Sequence, residues 1–232
     1  MTTRKDFLVA GTLAAAIPGT ALADSPAAVH PKTPKLDFDL EAFNALLDGA
    51  QAHKNLFTAV QIEGGEVLLA MRNTLGGYRD VGVEWSDVLP VAVLYHGFSI
   101  FLAFDDLVWN RYVIPFSGKI KHGNGAAQIA SVRKLDVGGN PCLREQGGDG
   151  DTSIRSLVAD AGARFFVCNN AALGTASMVA KALGKPFDTV YSDFAHHLVP
   201  NALMVPAGVW AIHAIQEQRF TLLQTSLAPP KG

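Results

Sequence analysis

The chain has 232 residues, 49% of them hydrophobic and 17% charged, with a formal net charge of −2. That balance builds one globular domain with a sizeable apolar core. No Lys/Arg run or basic stripe stands out, which argues against a nucleic-acid partner.

The first 23 residues read as an export signal. Arg4 and Lys5 are followed by the short apolar run Phe7 to Ala16, and Ala21-Leu22-Ala23 is a small-x-small cleavage site. The run is too short to span a bilayer. Thr3-Arg4-Lys5-Asp6-Phe7-Leu8 resembles the twin-arginine export pattern with Lys5 at the second arginine, so both that route and general secretion stay open. The alternative is an apolar first helix of a cytosolic protein. Cleavage after about Ala23 removes Arg4, Lys5 and Asp6, net +1, and takes the mature charge from −2 to −3. The mature chain is expected in the periplasm, with no membrane span.

Residues 24–35 carry three prolines and no apolar period, and read as a linker. A domain over 36–227 follows. Leu36 to Ala52 reads as a short helix, with Asp39 as N-cap and Gly49 as stop. Leu56 to Ile62 is rich in apolar and β-branched residues and reads as a strand. Glu66 to Tyr78 is a helix, with Val67, Leu68, Met71, Leu75 and Tyr78 on one face. Val88 to Tyr95 is nearly unbroken apolar sequence, as in a strand buried on both faces. Phe98 to Trp109 has helical spacing.

Residues 117–150 hold 8 of the 22 glycines and read as a long Gly-rich insertion, with a short ordered piece around Ala126 to Val132. Thr152 or Ser153 caps a helix that stops at Gly162. Ala163 to Cys168 is a strand, and Ala171 to Leu183 a helix ended by Gly184 and Pro186. Ala202 to Val205 is a strand. Pro206 suits the first turn of a helix to about Gln218, and Phe220 to Leu223 is the last strand.

Strands alternating with helices argue an α/β fold, with a mostly parallel five-stranded sheet and helices on both faces. In such sheets ligands sit beyond the carboxyl ends of the strands. The rule selects His96-Gly97, Cys168-Asn169-Asn170 and Pro206-Ala207-Gly208. Cys168 and His96 are the candidate reactive residues, and Gly97, Asn169, Asn170, Pro206 and Gly208 the candidate substrate-binding ones.

The same places carry a resemblance. Val93-Leu94-Tyr95-His96-Gly97 is similar to the second-strand motif of the DsrE/DsrF-like sulfur-relay family. Phe166-Val167-Cys168-Asn169-Asn170-Ala171 resembles its V-C-x-N-A strand end. Val205-Pro206-Ala207-Gly208-Val209, with Gln216 and Phe220, resembles its closing segment. The likeness runs from Asn55 to Gln224. It implies a flavodoxin-like three-layer fold, small homo-oligomers, and a cysteine persulfide on Cys168. The partner would be a sulfur donor or acceptor protein, or a small sulfane-sulfur compound. The family's best-studied members work in the cytoplasm, whereas this chain carries an export signal. Its Gly-rich insertion also looks longer than in a minimal member.

Each residue has a plainer reading beside the chemical one. Cys168 at a helix N-terminus suits a thiolate, and a buried structural cysteine is the alternative. His96 suits proton transfer or substrate orientation, or is a satisfied histidine at a strand end. Cys142 is a resolving thiol for Cys168, half of a structural disulfide, or a bystander. Asp193, His196 and His197 do not make a convincing metal set, and no cofactor is expected. Tyr95 reads as a packing residue, and Trp210 and His213 as core or subunit contact. Two functions therefore stand: a sulfur carrier or sulfurtransferase-like protein, and a non-catalytic binding or assembly module that keeps the fold. A thiol-disulfide protein using both cysteines is a third, and the lack of a C-x-x-C pair weighs against it.

Overall fold

The computed structural model describes residues 34–62, 65–96, 98–120, 138–144 and 152–225. Residues 1–23, read above as an export signal, residues 24–33 of the expected linker, Gly97 and the stretch around Ala126 to Val132 lie outside them. The described residues from Leu36 onward make one compact unit.

Five strands form the sheet: β1 (His53–Ala59), β2 (Val88–Leu94), β3 (Arg164–Cys168), β4 (Ala202–Val205) and β5 (Thr221–Gln224). Their order is β4-β3-β2-β1-β5, and every neighbouring pair is parallel. The chain steps one way from β1 to β4, then crosses back to set β5 beside β1. Right-handed crossovers put the first three connections on one face and the return on the other.

Two buried clusters match those faces. On β3, Phe165 and Val167 join one cluster and Phe166 the other, as the pleat requires. The larger cluster lies under α2 (Glu66–Asp80), α4 (Ile154–Ala161), α5 (Asn169–Leu183) and α6 (Phe187–His196). The smaller lies under α1 (Leu40–Leu47) and α7 (Gly208–Glu217). This α/β arrangement is consistent with a flavodoxin-like three-layer fold. Among the described residues no helix is long and apolar enough to cross a membrane.

Local chemistry sets several boundaries. The Asp39 carboxylate accepts from the Ala42 N–H at 2.9 Å and starts α1. Ser153 Oγ accepts from the Ser156 N–H at 3.0 Å and starts α4, so the cap is Ser153 rather than Thr152.

Three expectations are corrected. Phe98 to Trp109 is not one helix. Ser99–Ala103 is a 3-10 turn, and a new helix, α3, then runs as Asp106–Val108, the π-bonded Trp109–Val113 and Ile114–Ser117. The break is Asp105, whose extended backbone and carboxylate cap the Leu107 and Val108 N–H groups at 2.9 and 3.2 Å. Residues 99–104 are buried on all sides, so their apolar spacing carried no face information. The second correction is α6, a helix the sequence reading left out.

The third is the 138–144 part of the Gly-rich insertion, which is docked in the core rather than looped over it. Residues Asn140, Cys142 and Leu143 are buried. Asn140 Nδ2 donates to the carbonyls of Leu102 and Phe104 at 2.9 and 2.7 Å, and its Oδ1 accepts from the Cys142 N–H at 2.9 Å. Arg144 pairs with Asp106. The Cys142 and Leu143 carbonyls then accept from the Ile154 and Arg155 N–H groups at the head of α4.

Candidate functional site

The carboxyl ends of β2, β3 and β4 meet in one row. Leu94 is in register with Val167, and Cys168 with Val205. Tyr95, one residue past Leu94, is therefore level with Cys168. Leu94, Val167 and Met204 belong to the larger cluster, so the next row, Tyr95, Cys168 and Val205, faces the other way. Cys168 thus lies between Tyr95 and Val205, on the face covered by α1 and α7. Its exposure is 5%.

Two helices begin at this row. Cys168 is itself the N-cap residue of the 15-residue α5, and Ala207 is the N-cap of α7. Neither supplies a side-chain cap, so the first N–H groups and the positive dipole ends stay uncompensated by a side chain at this edge. Gly208, the first residue of α7, is buried against Tyr95. A Cβ there would sit 2.0 Å from the Tyr95 Cβ. Only glycine lets α7 start this close to β2.

The candidate residues divide accordingly. Cys168, Tyr95 and Gly208 come together, and Pro206 is exposed beside them. His96 is exposed, its carbonyl accepting from the Ser99 N–H and hydroxyl at 3.3 and 2.7 Å. Asn169 is committed elsewhere: its Oδ1 accepts from the Tyr191 hydroxyl at 2.6 Å, tying α5 to α6. Asn170 is exposed, and Gly97 lies outside the described residues. Tyr95, quoted in the β2-end motif and read there as a packing residue, packs against Gly208 and so walls the site. Its signal was the two-residue period running back through Val93 and Val91.

Cys142 does not join this row. It belongs to the larger cluster, and its sulfur lies 3.2 Å from where a Cβ on Gly65 would stand, at the head of α2. Burial pushes its thiol up to about 12. Both cysteines are free. The strand pleat turns Cys168 to the smaller cluster's face of the sheet, whereas Cys142 packs in the larger cluster on the other. Cys142 could act as a resolving thiol only if its segment left the core.

Asp193, His196 and His197 are occupied separately. Asp193 accepts from the Tyr112 hydroxyl at 2.5 Å and from Arg111 at 2.7 Å, bracing α6 on α3. His196 Nδ1 lies 2.7 Å from the Ser192 carbonyl, and His197 Nδ1 3.1 Å from Asp105. Among the described residues no three His, Cys, Asp or Glu side chains gather as a metal would need. Trp210 packs edge-on against Phe38, with ring centres 5.4 Å apart.

Burial raises the Asp193 carboxyl, but the hydrogen bonds from Tyr112 and Arg111 outweigh it and hold it below its ordinary range. A depressed carboxyl stabilises the fold above its unfolded value of about 4 and loses that stability as pH falls through the folded value. Asp193→Asn is therefore expected to lower Tm at pH 7 by about 2–4 °C. The gap from the wild type should narrow progressively in melts run at pH values falling below about 4. A gap of constant size across that range would contradict the charge assignment.

Together these features define an α/β protein with an all-parallel sheet and a thiol at its carboxyl edge, set at the head of a helix. In comparison with known proteins, the chain matches no family model, no curated protein and no solved structure.

Proposed function

We propose that this is an exported, periplasmic sulfur carrier or sulfurtransferase-like protein of the DsrE/DsrF-like kind, acting through a persulfide on Cys168. The observation that carries the reading is the position of Cys168: a strand's carboxyl end and the N-cap of α5, in the row where α7 also starts without a side-chain cap. An anionic sulfur there is stabilised by aligned N–H groups.

The chemistry balances without an outside oxidant. The Cys168 thiolate attacks the terminal sulfur of a polysulfide. A new S–S bond forms, the old one breaks, and the shortened polysulfide leaves with the electron pair. An acceptor thiolate then attacks the outer sulfur of the Cys168 persulfide and releases the Cys168 thiolate. His96, exposed at the same edge, takes the proton lost when the Cys168 thiol ionises and returns it to the leaving polysulfide. The narrow exposure of Cys168 suits a slim sulfane-sulfur reagent better than a folded protein disulfide.

That burial also favours a second reading, a non-catalytic binding or assembly module. Intact-mass spectrometry after polysulfide treatment separates the two. The carrier gains one or two sulfur masses that vanish in Cys168→Ser, while Cys142 stays unmodified until the chain is unfolded. No gain, with Cys168 inert to iodoacetamide in the native fold, leaves the binding module.

A further inference from the structure

Among the described residues β5 ends the sheet, and nothing covers it. In parallel sheets helices ordinarily bury both faces of a strand, yet all four side chains of Thr221–Gln224 are exposed. Leu222 and Leu223 are 41% and 49% exposed, and the pleat sends them to opposite faces. The outer edge is equally open. Thr225 donates its N–H to the Thr58 carbonyl, so by the two-residue period Thr221 and Leu223 also turn their backbone groups toward β1. Leu222 and Gln224 turn theirs outward, where they meet no partner among the described residues. Edge strands are ordinarily protected by being very short, as the four-residue β5 is, or by lysine, proline or a bulge. Thr221–Gln224 has no Lys or Pro, and it pairs with β1 one residue to one.

We propose that β5 pairs antiparallel with β5 of a second copy of this chain, joining two sheets into one across a twofold axis at Leu223. A twofold axis normal to the sheet keeps each residue on its own face, so only residues of like parity meet. With the axis at Leu223, Leu222 exchanges hydrogen bonds with the partner's Gln224, and Gln224 with the partner's Leu222. Every outward group of the strand is then satisfied. Leu223 meets the partner's Leu223 at the closely spaced position, and Thr221 meets the partner's Thr225. Charge favours the same occupant. Residues 220–225 carry no ionisable side chain, so self-pairing opposes no like charges and offers a charged foreign peptide no counter-ion.

The test uses the mature chain in sedimentation equilibrium up to about 500 µM, because a short strand pair lies at the small end of interface sizes. The wild type is expected to dimerise. Leu223→Lys, which sets two like charges face to face on the axis, should stay monomeric with unchanged circular dichroism and melting. In air oxidation Leu223→Cys should form a covalent dimer at least about tenfold faster than Leu222→Cys, because only position 223 meets itself at the close spacing. A wild type that stays monomeric, a Leu223→Lys variant that still dimerises, or equal cross-linking at both positions overturns the proposal.

Discussion

Gly208→Val is expected to destabilise the fold by roughly 3 kcal/mol or more, and Gly208→Ala by about 2–3 kcal/mol. The first added atom does most of the damage. A Cβ at position 208 would lie 2.0 Å from the Tyr95 Cβ and 3.0 Å from the Tyr95 Cα. A flexible side-chain tip could swing away, but a Cβ moves only with its backbone, and Tyr95 follows directly on a buried strand whose N–H to Ala59 bond continues the ladder. The rescue pattern identifies the obstacle. Tyr95→Ala keeps the offending Cβ and should leave the Gly208→Ala penalty intact. Tyr95→Gly removes that atom and should recover on the order of 1 kcal/mol of it as a coupling term in a double-mutant cycle. Urea midpoints of the four variants measure this. Equal rescue by alanine and glycine would mean that the ring, rather than the backbone approach, is what α7 rests on. Because α7 starts against Tyr95, the neighbour of Cys168 in the row, Gly208→Ala should also raise the alkylation rate of Cys168.

The same approach shows which parts of the molecule were readable in one dimension. Strands such as Val88–Leu94 declare themselves, because a run buried on both faces has almost no other use for seven consecutive apolar residues. Cys168 at a strand end follows from the next element being a helix with a clear stop at Gly184, which adopts the left-handed conformation expected of it. The edge rule therefore finds the row without a structure. Contacts made between distant parts of the chain leave no such trace. Tyr95 walls Cys168 through strand register, which joins residues 73 positions apart. Asn169 looked like a binding residue from its neighbours, yet its amide is taken by Tyr191 on a helix that sequence spacing did not reveal. Cys142 misled for a local reason. Gly139, Asn140 and Pro141 are turn formers, and turn formers suggest solvent. Here the turn places an asparagine where two buried carbonyls need a donor.

That asparagine sets the second large effect. Asn140→Asp is expected to cost about 3–5 kcal/mol at pH 7, against about 2–3 kcal/mol for Asn140→Ala. The side chain is fully buried, and its amide donates to the Leu102 and Phe104 carbonyls while its oxygen accepts from the Cys142 N–H. Alanine leaves those three groups unsatisfied in a closed space. Aspartate keeps the volume and the acceptor but turns a carboxylate oxygen on two carbonyls, so it must either carry an unpaired buried charge or hold a proton. Its folded-state carboxyl is then raised above the unfolded value of about 4. The folded state binds that proton more tightly, so the extra penalty grows as pH climbs past about 4 and disappears below it. Urea titrations at pH 4 and pH 7 should show the aspartate variant approaching the alanine variant at the lower pH, while the alanine penalty stays level. A loss under about 1 kcal/mol in both would mean that residues 138–144 decorate the fold rather than hold it. If the larger losses are found, Cys142 should become reactive to iodoacetamide in the same variants, because the hydrogen bonds that seat its segment are the ones removed.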